Sequence, residues 1–187
     1  DFSYQADLGI NQNRETRSIG FMGLSAQANY ISSTAHVGAG VRKIVPVTDT
    51  INAMPLFRLD YAAVNATSYS ETGAGGLNLN VQPQTYQELM VTTGLRGEYL
   101  ATDRIKIIAN ALVGYNTLNT QAQVAASYAG GGNSFVTQGF SGSPWLFSGG
   151  VGIVGYEKGG VEISARYDLQ ASPTGFLNQM ASVRVSM

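Results

Sequence analysis

The sequence VEISARYDL, residues 161–169, decides the fold class because apolar and polar side chains alternate along it without a break. Successive side chains of a β-strand point to opposite faces of the sheet, so this pattern predicts a strand with one oily and one charged side. The oily side carries Val161, Ile163, Ala165, Tyr167 and Leu169, and the other side carries Glu162, Ser164, Arg166 and Asp168.

The same alternation recurs along the chain and predicts about nine strands. Several of them reach roughly 9 to 11 residues, the length of a tilted membrane strand, where soluble strands usually have about 5 or 6. Their polar faces are small and sparsely charged, unlike the outer faces of a soluble sandwich. The other predicted strands are residues 2–10, 21–31, 36–44, 56–69, 86–100, 105–115, 145–156 and 177–187.

Long and short connections alternate, as they do in outer-membrane barrels. The long ones, residues 70–84 and 116–144, are rich in Gly, Ser, Asn and Gln. If the last strand ends on the periplasmic side, both long loops lie outside the cell. The short periplasmic turns are predicted at residues 11–17, 48–52, 101–104 and 157–160, and short external ones at residues 32–35 and 171–175.

The composition fits a membrane environment. Charged residues make up 12% of the chain, against about 25% in a typical soluble domain. No apolar run approaches the roughly 20 residues of a spanning helix, and a chain that crosses lipid without helices must form a closed barrel. We therefore predict one all-β domain over residues 1–187, an antiparallel transmembrane β-barrel of a bacterial outer membrane.

Several functions are disfavoured by residue content. A net charge of −1 without a basic stripe gives no attraction for nucleic acid. The lack of cysteine excludes disulfides, a thiolate nucleophile and cysteine-ligated metal.

His36 is the only histidine, near the outer end of a predicted strand, and its neighbours Ser32 and Ser33 do not make a catalytic triad. We expect no catalytic residues, no metal site and no cofactor. AGGGN, residues 129–133, lacks the rest of a phosphate-binding motif and is interpreted as a flexible external loop.

One set of charged residues falls on the less oily side of the predicted strands and is expected to line the barrel lumen. Two interpretations stay open: the set satisfies buried charge inside a packed barrel, or it forms a hydrophilic wall for a translocating chain. The predicted lumen-lining residues are Arg58, Asp60, Glu88, Arg96, Glu162, Arg166, Asp168 and Arg184.

Aromatic residues cluster near predicted strand ends, where amphipathic rings can lie among lipid headgroups. The alternative is the ordinary preference of tyrosine for strands. The predicted girdle consists of Tyr30, Tyr99, Tyr115, Trp145, Tyr156 and Tyr167.

Residues 55–99 read PLFRLDYAAVNATSYSETGAGGLNLNVQPQTYQELMVTTGLRGEY, and this stretch resembles the translocator domain of autotransporters, the type V secretion systems. The features are a proline-led strand ending in Leu-x-Tyr, a Tyr-x-Glu followed by Gly and Ala, a Leu-x-Leu-x-Val run and a Gly-Leu-Arg. Residues 14–19, the VGAGVR run from Val37 and the closing strand from Met180 with Arg184 also resemble that family.

The resemblance implies a barrel of about twelve strands, threaded by a helical segment that leads to a secreted passenger domain. The chain would then be about the C-terminal three-quarters of the barrel, with the first strands, the linking helix and the passenger upstream of Asp1. Family members usually end in an aromatic residue, so the end at Met187 is also expected to be clipped.

The implied role is insertion in the outer membrane and export or surface anchoring of an N-terminal passenger. The implied partners are outer-membrane lipid and lipopolysaccharide, the protein's own passenger, and the barrel assembly machinery during insertion. A porin-like or structural barrel without a passenger is the alternative, and a soluble adhesin or lipocalin-like β protein is a further one.

Overall fold

Antiparallel β-strands dominate the structure, a computed structural model that describes residues 1–118, 121–156 and 160–186. Two short 3₁₀ turns cover Gly20–Met22 and Gly75–Leu77. No helical segment in the described part of the chain is long and apolar enough to cross a membrane. The strands are β1 Phe2–Ile19, β2 Leu24–Arg42, β3 Val45–Pro46, β4 Ile51–Ala66, β5 Tyr69–Ser70, β6 Leu79–Val81, β7 Gln84–Thr102, β8 Ile105–Asn116, β9 Gln123–Tyr128, β10 Phe135–Gln138, β11 Trp145–Tyr156, β12 Glu162–Ala171 and β13 Leu177–Ser186.

The main sheet has nine strands, and its eight long members follow one another in the order β1-β2-β4-β7-β8-β11-β12-β13. Each long strand pairs antiparallel with the next, and the two-residue strand β3 pairs with β4. The sheet is curled into a half-barrel, with β1 and β13 as its edges within the described residues. The predicted all-β antiparallel barrel fold is confirmed.

Two predicted turns are wrong. Residues 11–17 belong to β1 and residues 32–35 belong to β2, so the predicted strands 21–31 and 36–44 are parts of one strand of 19 residues. The polar residues near Arg14 gave a turn-like composition, yet they continue the β1–β2 ladder, where Arg14 pairs with Asn29. The chain reverses later, at Gly20–Met22, where Gly23 adopts a left-handed conformation at φ 66° that glycine tolerates best.

The connections between the strands lie at two opposite ends of the sheet. Residues 43–50 and 103–104 lie at one end, and residues 20–23, 67–83, 117–118, 121–144 and 172–176 lie at the other. Both long connections therefore emerge at the same end, as their lengths predicted. They also contain strands that were not predicted, since β5, β6, β9 and β10 form a second sheet in the order β10-β9-β6-β5. Residues 157–159 of one predicted turn, and Met187, lie outside the described residues.

One face of the main sheet is apolar and exposed. Among the described residues no large side chain is fully buried, whereas Val151 is 58% and Ile153 48% exposed. Ile107 and Ile163, which a soluble core would bury, are 43% and 47% exposed. Continuous exposure of this kind marks a surface that another apolar phase covers. The crowded polar face is the concave one, because side chains inside a curled sheet approach one another.

Candidate functional site

The concave face forms a wall of polar and charged side chains that crosses the main sheet from β1 to β13. The register fixes its membership, because directly paired residues share a face. Asp7 pairs with His36, Gly38 with Asp60, and Arg96 with Asn110, which in turn pairs with Gly150. Gly150 pairs with Asp168, which pairs with Met180 of β13.

Side chains of β1, β2 and β4 form a charged cluster around His36. His36 lies between two carboxylates, with Nδ1 3.0 Å from Oδ2 of Asp7 and Nε2 3.0 Å from Oδ1 of Asp60. Arg58 donates from Nε and Nη2 to the two oxygens of Asp60, both at 2.6 Å. Arg58 Nη2 also lies 3.4 Å from Oε1 of Gln5. Both Asp60 oxygens are therefore satisfied within the wall.

Two further ion-pair groups continue the wall. Glu98 accepts from Arg96 at 2.9 Å and lies 3.2 Å from Nζ of Lys106 on β8. Arg166 lies 2.7 Å from Asp168. Together with Arg58 and Asp60, these pairs share one arrangement: an arginine followed two residues later by an acid on the same strand, in the sequences RLD, RGE and RYD. Side chains two apart on a strand share a face, so each of these strands carries its own counterion.

Glycines on the concave face make room for the charged side chains. A Cβ on Gly38 would collide with Oδ1 of Asp60 and lie 2.6 Å from Nη2 of Arg58. At Gly150 it would collide with Oδ1 of Asp168 and lie 3.0 Å from Nδ2 of Asn110. Only a residue without a side chain fits beneath each pair.

The register places all eight predicted lumen-lining residues on this face: Arg58, Asp60, Glu88, Arg96, Glu162, Arg166, Asp168 and Arg184. Ion pairs join two couples among them, Arg58 with Asp60 and Arg166 with Asp168. In the described ranges, no ion pair reaches Glu162 or Arg184, which lies on the edge strand β13. That this face lines a lumen stays a prediction.

Sequence reasoning missed three participants, Asp7, Glu98 and Lys106. Their place in the alternating pattern was the available signal, since each falls on the polar side of its strand. His36 was predicted near a strand end, but β2 continues past it in both directions. Its position within the strand allows it to contact β1 and β4 together.

The aromatic residues divide between the two faces. Tyr99, Tyr115, Trp145 and Tyr167 are on the apolar face, where Tyr115 and Trp145 pack edge to face at 4.7 Å. Tyr30 does not fit the predicted girdle, because it lies on the concave side and stacks on Tyr69 at 4.5 Å. Tyr156 does not fit either, since it pairs with Glu162. Both occupy concave positions of their strands, so neither ring faces the apolar side.

The wall offers hydrogen-bonding groups and balanced charge, and the described residues hold no group of three His, Asp or Glu side chains arranged for a metal ion. The family model described as "Autotransporter beta-domain" matches residues 1–168. No curated protein matches the chain.

Proposed function

The chain belongs to the autotransporter β-domain family, whose members are translocator β-barrels in the outer membrane of Gram-negative bacteria, and we propose that it exports or anchors an N-terminal passenger through the space its concave face encloses. The protein is accordingly an outer-membrane protein with a translocator role. Passenger export by this chain is the proposal.

The observation that carries the proposal is the paired charge on the concave wall. Every carboxylate of the Arg-x-acid pairs already has a partner on its own strand. Carboxylates whose hydrogen bonds are made inside the wall have little drive to bind a passing polypeptide tightly, although Nε of Arg96 is buried without a partner. The face therefore stays wet and non-sticky, which suits an unfolded passenger or a linking helix.

The convex face supports the lipid partners. Its apolar side chains are exposed along β8, β11 and β12, as a barrel wall in hydrocarbon requires. We propose that this face contacts outer-membrane lipid, with lipopolysaccharide at the outer boundary, and that the barrel assembly machinery inserts it. Unpaired strand edges are costly in lipid, so we also propose that further strands outside residues 1–187 join β1 and β13 to close the barrel.

The test replaces the Arg58–Asp60 pair of the concave face by apolar residues in the complete protein. Arg58→Leu with Asp60→Leu makes an oily patch on the wall, and Phe57→Leu with Leu59→Ile changes the opposite face of the same strand as a matched control. Passenger at the cell surface is measured by protease added to intact cells. Barrel folding is checked by heat-modifiable migration in detergent gels.

We expect the inner double variant to fold and to display less passenger, while the outer double variant displays as much as the parent. Equal display by the folded inner variant would contradict the non-sticky wall. A complete gene that encodes no passenger, together with ion conductance by the barrel alone, would favour a porin-like role.

A further inference from the structure

The convex side of the wall changes from apolar to polar beyond Ile10 and Ile31, at the end that carries the long connections. From there β1 runs on for about 30 Å towards Ile19, and β2 extends over about 23 Å towards Leu24. On this extension the convex side chains become polar and exposed: Gln12, Arg14, Thr16, Ser18, Ser25, Gln27 and Asn29. Near the far end of the extension the concave side is apolar and buried, with Ile19 at 5% and Ala26 at 0% exposure, whereas Asn11, Asn13, Glu15 and Arg17 keep the β1 part of that side polar. The extension thus has a polar, water-exposed convex side and a dry patch around Ile19 and Ala26 on its concave side.

The second sheet continues this extension sideways. Gln27 and Thr72 exchange backbone hydrogen bonds of 2.8 Å each way, which attaches the chain after β5 to the edge of β2. Val81 and Ala126, on neighbouring strands of the second sheet, are 3% and 2% exposed. The curled wall therefore continues past the membrane, and its concave side has a buried apolar patch at Val81 and Ala126.

Residues 73–78 fold over that concave side. Ala74 packs with Ile19 and Ala26, and Leu77 packs against the same cluster. The backbone of Gly76 accepts a 2.9 Å hydrogen bond from Gly130, which ties this segment to the β9–β10 connection. The segment therefore lies on the inner side of the extension.

One ion pair, with Glu71 buried and Arg17 one third exposed, holds the segment in place. Arg17 donates from Nε and Nη2 to Glu71 at 2.9 and 2.6 Å, and from Nη2 to the carbonyl of Leu77 at 2.8 Å. The N–H of Leu79 donates to Oε2 of Glu71 at 2.7 Å. Arg17 lies on β1, Glu71 precedes the segment, Leu77 lies within it and Leu79 follows it. The Arg17 guanidinium therefore connects both ends of residues 73–78 to the wall.

A second inward segment lies across the sheet. Phe140 and Gly142 line a cavity of about 420 Å³ together with Glu88 and Gln170 on the concave faces of β7 and β12. Ser143 donates from its N–H to Oγ1 of Thr174 at 3.3 Å, which connects this segment to the β12–β13 turn. Two connections thus bend inward over the same end of the lumen-side face.

We propose that residues 73–78 form an external gate over the exit of the barrel, and that the Arg17–Glu71 pair is the latch that holds this gate shut once no chain is passing. The gate rests on the proposed function, because it acts at the exit of the proposed export path. Releasing the pair frees the segment while the strands of the wall remain paired. An exported chain passes only when the latch is open.

The test measures ion conductance of the complete protein in planar lipid bilayers after passenger release. Glu71→Gln removes the latch charge, and Arg14→Gln serves as the matched control, since Arg14 is an exposed cation on the opposite face of the same strand. We expect Glu71→Gln to raise the open probability roughly tenfold or more, the loss expected for a charge-assisted contact of this kind. Arg14→Gln is expected to leave it unchanged.

A reversible lock provides the second arm. The protein has no cysteine, so Gln27→Cys with Thr72→Cys introduces one disulfide at a directly paired position, within the Cα separation that disulfides accept. In the Glu71→Gln background, the oxidised lock is expected to return the open probability to the parent level, and a reductant is expected to raise it again. Arg17→Lys, which keeps the charge but loses the two-pronged geometry, replaces Glu71→Gln if that variant does not fold.

A heat-modifiable, folded Glu71→Gln protein with parent conductance overturns the gate, as does an oxidised lock without effect. Passenger display on the same cells separates the two proposals. A raised open probability of Glu71→Gln with normal passenger display supports the gate and is compatible with export. A parent protein that never displays a passenger contradicts the export proposal alone.

Discussion

Gly38 lies directly opposite Asp60 on the neighbouring strand, so close that a methyl group on the glycine would overlap the carboxylate. The contact shows that glycine content and charge on the concave face are coupled. A side chain at Gly38 would move the acid away from both Arg58 and His36.

We expect Gly38→Ala to destabilise the barrel by about 1–3 kcal/mol, the usual cost of overpacking. Gly97→Ala is the matched control, because a Cβ at Gly97 would meet no atom within 4 Å. Urea unfolding in detergent or vesicles measures both. Equal effects of the two substitutions would show that the space at Gly38 is not limiting.

Asp60→Asn should destabilise by about 1–3 kcal/mol, because it leaves the charge of Arg58 without its counterion inside the wall. The Asp60 side chain is 21% exposed, whereas the pair of Asp1 and Arg42 is about half exposed, at 53% and 46%. Asp1→Asn is therefore expected to cost about 0–1 kcal/mol. The same unfolding experiment compares them, and a larger loss for Asp1→Asn would refute the inner network.

Val151→Lys should impair insertion by about 2–4 kcal/mol, the cost of a cation on the lipid face of a barrel near mid-membrane. Thr16→Lys is on the same convex side but beyond the polarity reversal, and it should cost close to nothing. Folding yield in vesicles at increasing urea reports the difference. Similar yields for both variants would place Val151 in water.

Trp145 is the only tryptophan, so its fluorescence reports on one position. Its ring packs against Tyr115 on the apolar face at the outer end of β11, and aromatic rings there favour the headgroup region. We expect lipids brominated near the headgroup to quench its emission more strongly than lipids brominated near the chain ends. The opposite order would remove Trp145 from the girdle.

Acid should open the Arg17–Glu71 latch. The hydrogen bonds from Arg17 hold the pKa of Glu71 below its ordinary value, with a further contribution from the Leu79 N–H. A lowered pKa in the folded state means that the pair stabilises the closed gate fully above the ordinary carboxyl pKa and loses this contribution as pH falls through the lowered value. Conductance should therefore rise below about pH 4 in the parent, and a Glu71→Gln protein should lack this step.

The alternation of apolar and polar residues predicted the strands most accurately in the part of the chain that crosses the membrane. β12 has an apolar and a mostly polar side along its length, and β8 has a continuous apolar side opposite a mixed one, so the type and approximate bounds of both strands followed from the pattern. The pattern also assigned Arg58 and Asp60 to one face. It could not show that Gly38 lies beneath them, because the register between strands is a tertiary property.

The errors cluster where the chain leaves lipid. Around Arg14 the strand continues, but its convex side turns polar to meet water, and polar residues there look like a turn. Tyr30 and Tyr156 were assigned by their nearness to strand ends without regard to parity, and parity places them on the concave face. The short strands β5 and β6 lie in a Gly- and Asn-rich stretch whose local preference is for loops.

The Arg-x-acid arrangement on β4, β7 and β12 has a consequence for biogenesis. Each of these three strands carries an arginine and its counterion two residues apart, so that couple adds no net charge to its strand before a neighbour arrives. Depositing an uncompensated ion in a bilayer is far costlier than depositing a neutral dipole. The couples therefore reduce the charge that each strand brings towards the hydrocarbon, to zero on β4 and to the single carboxylates Glu88 and Glu162 on β7 and β12.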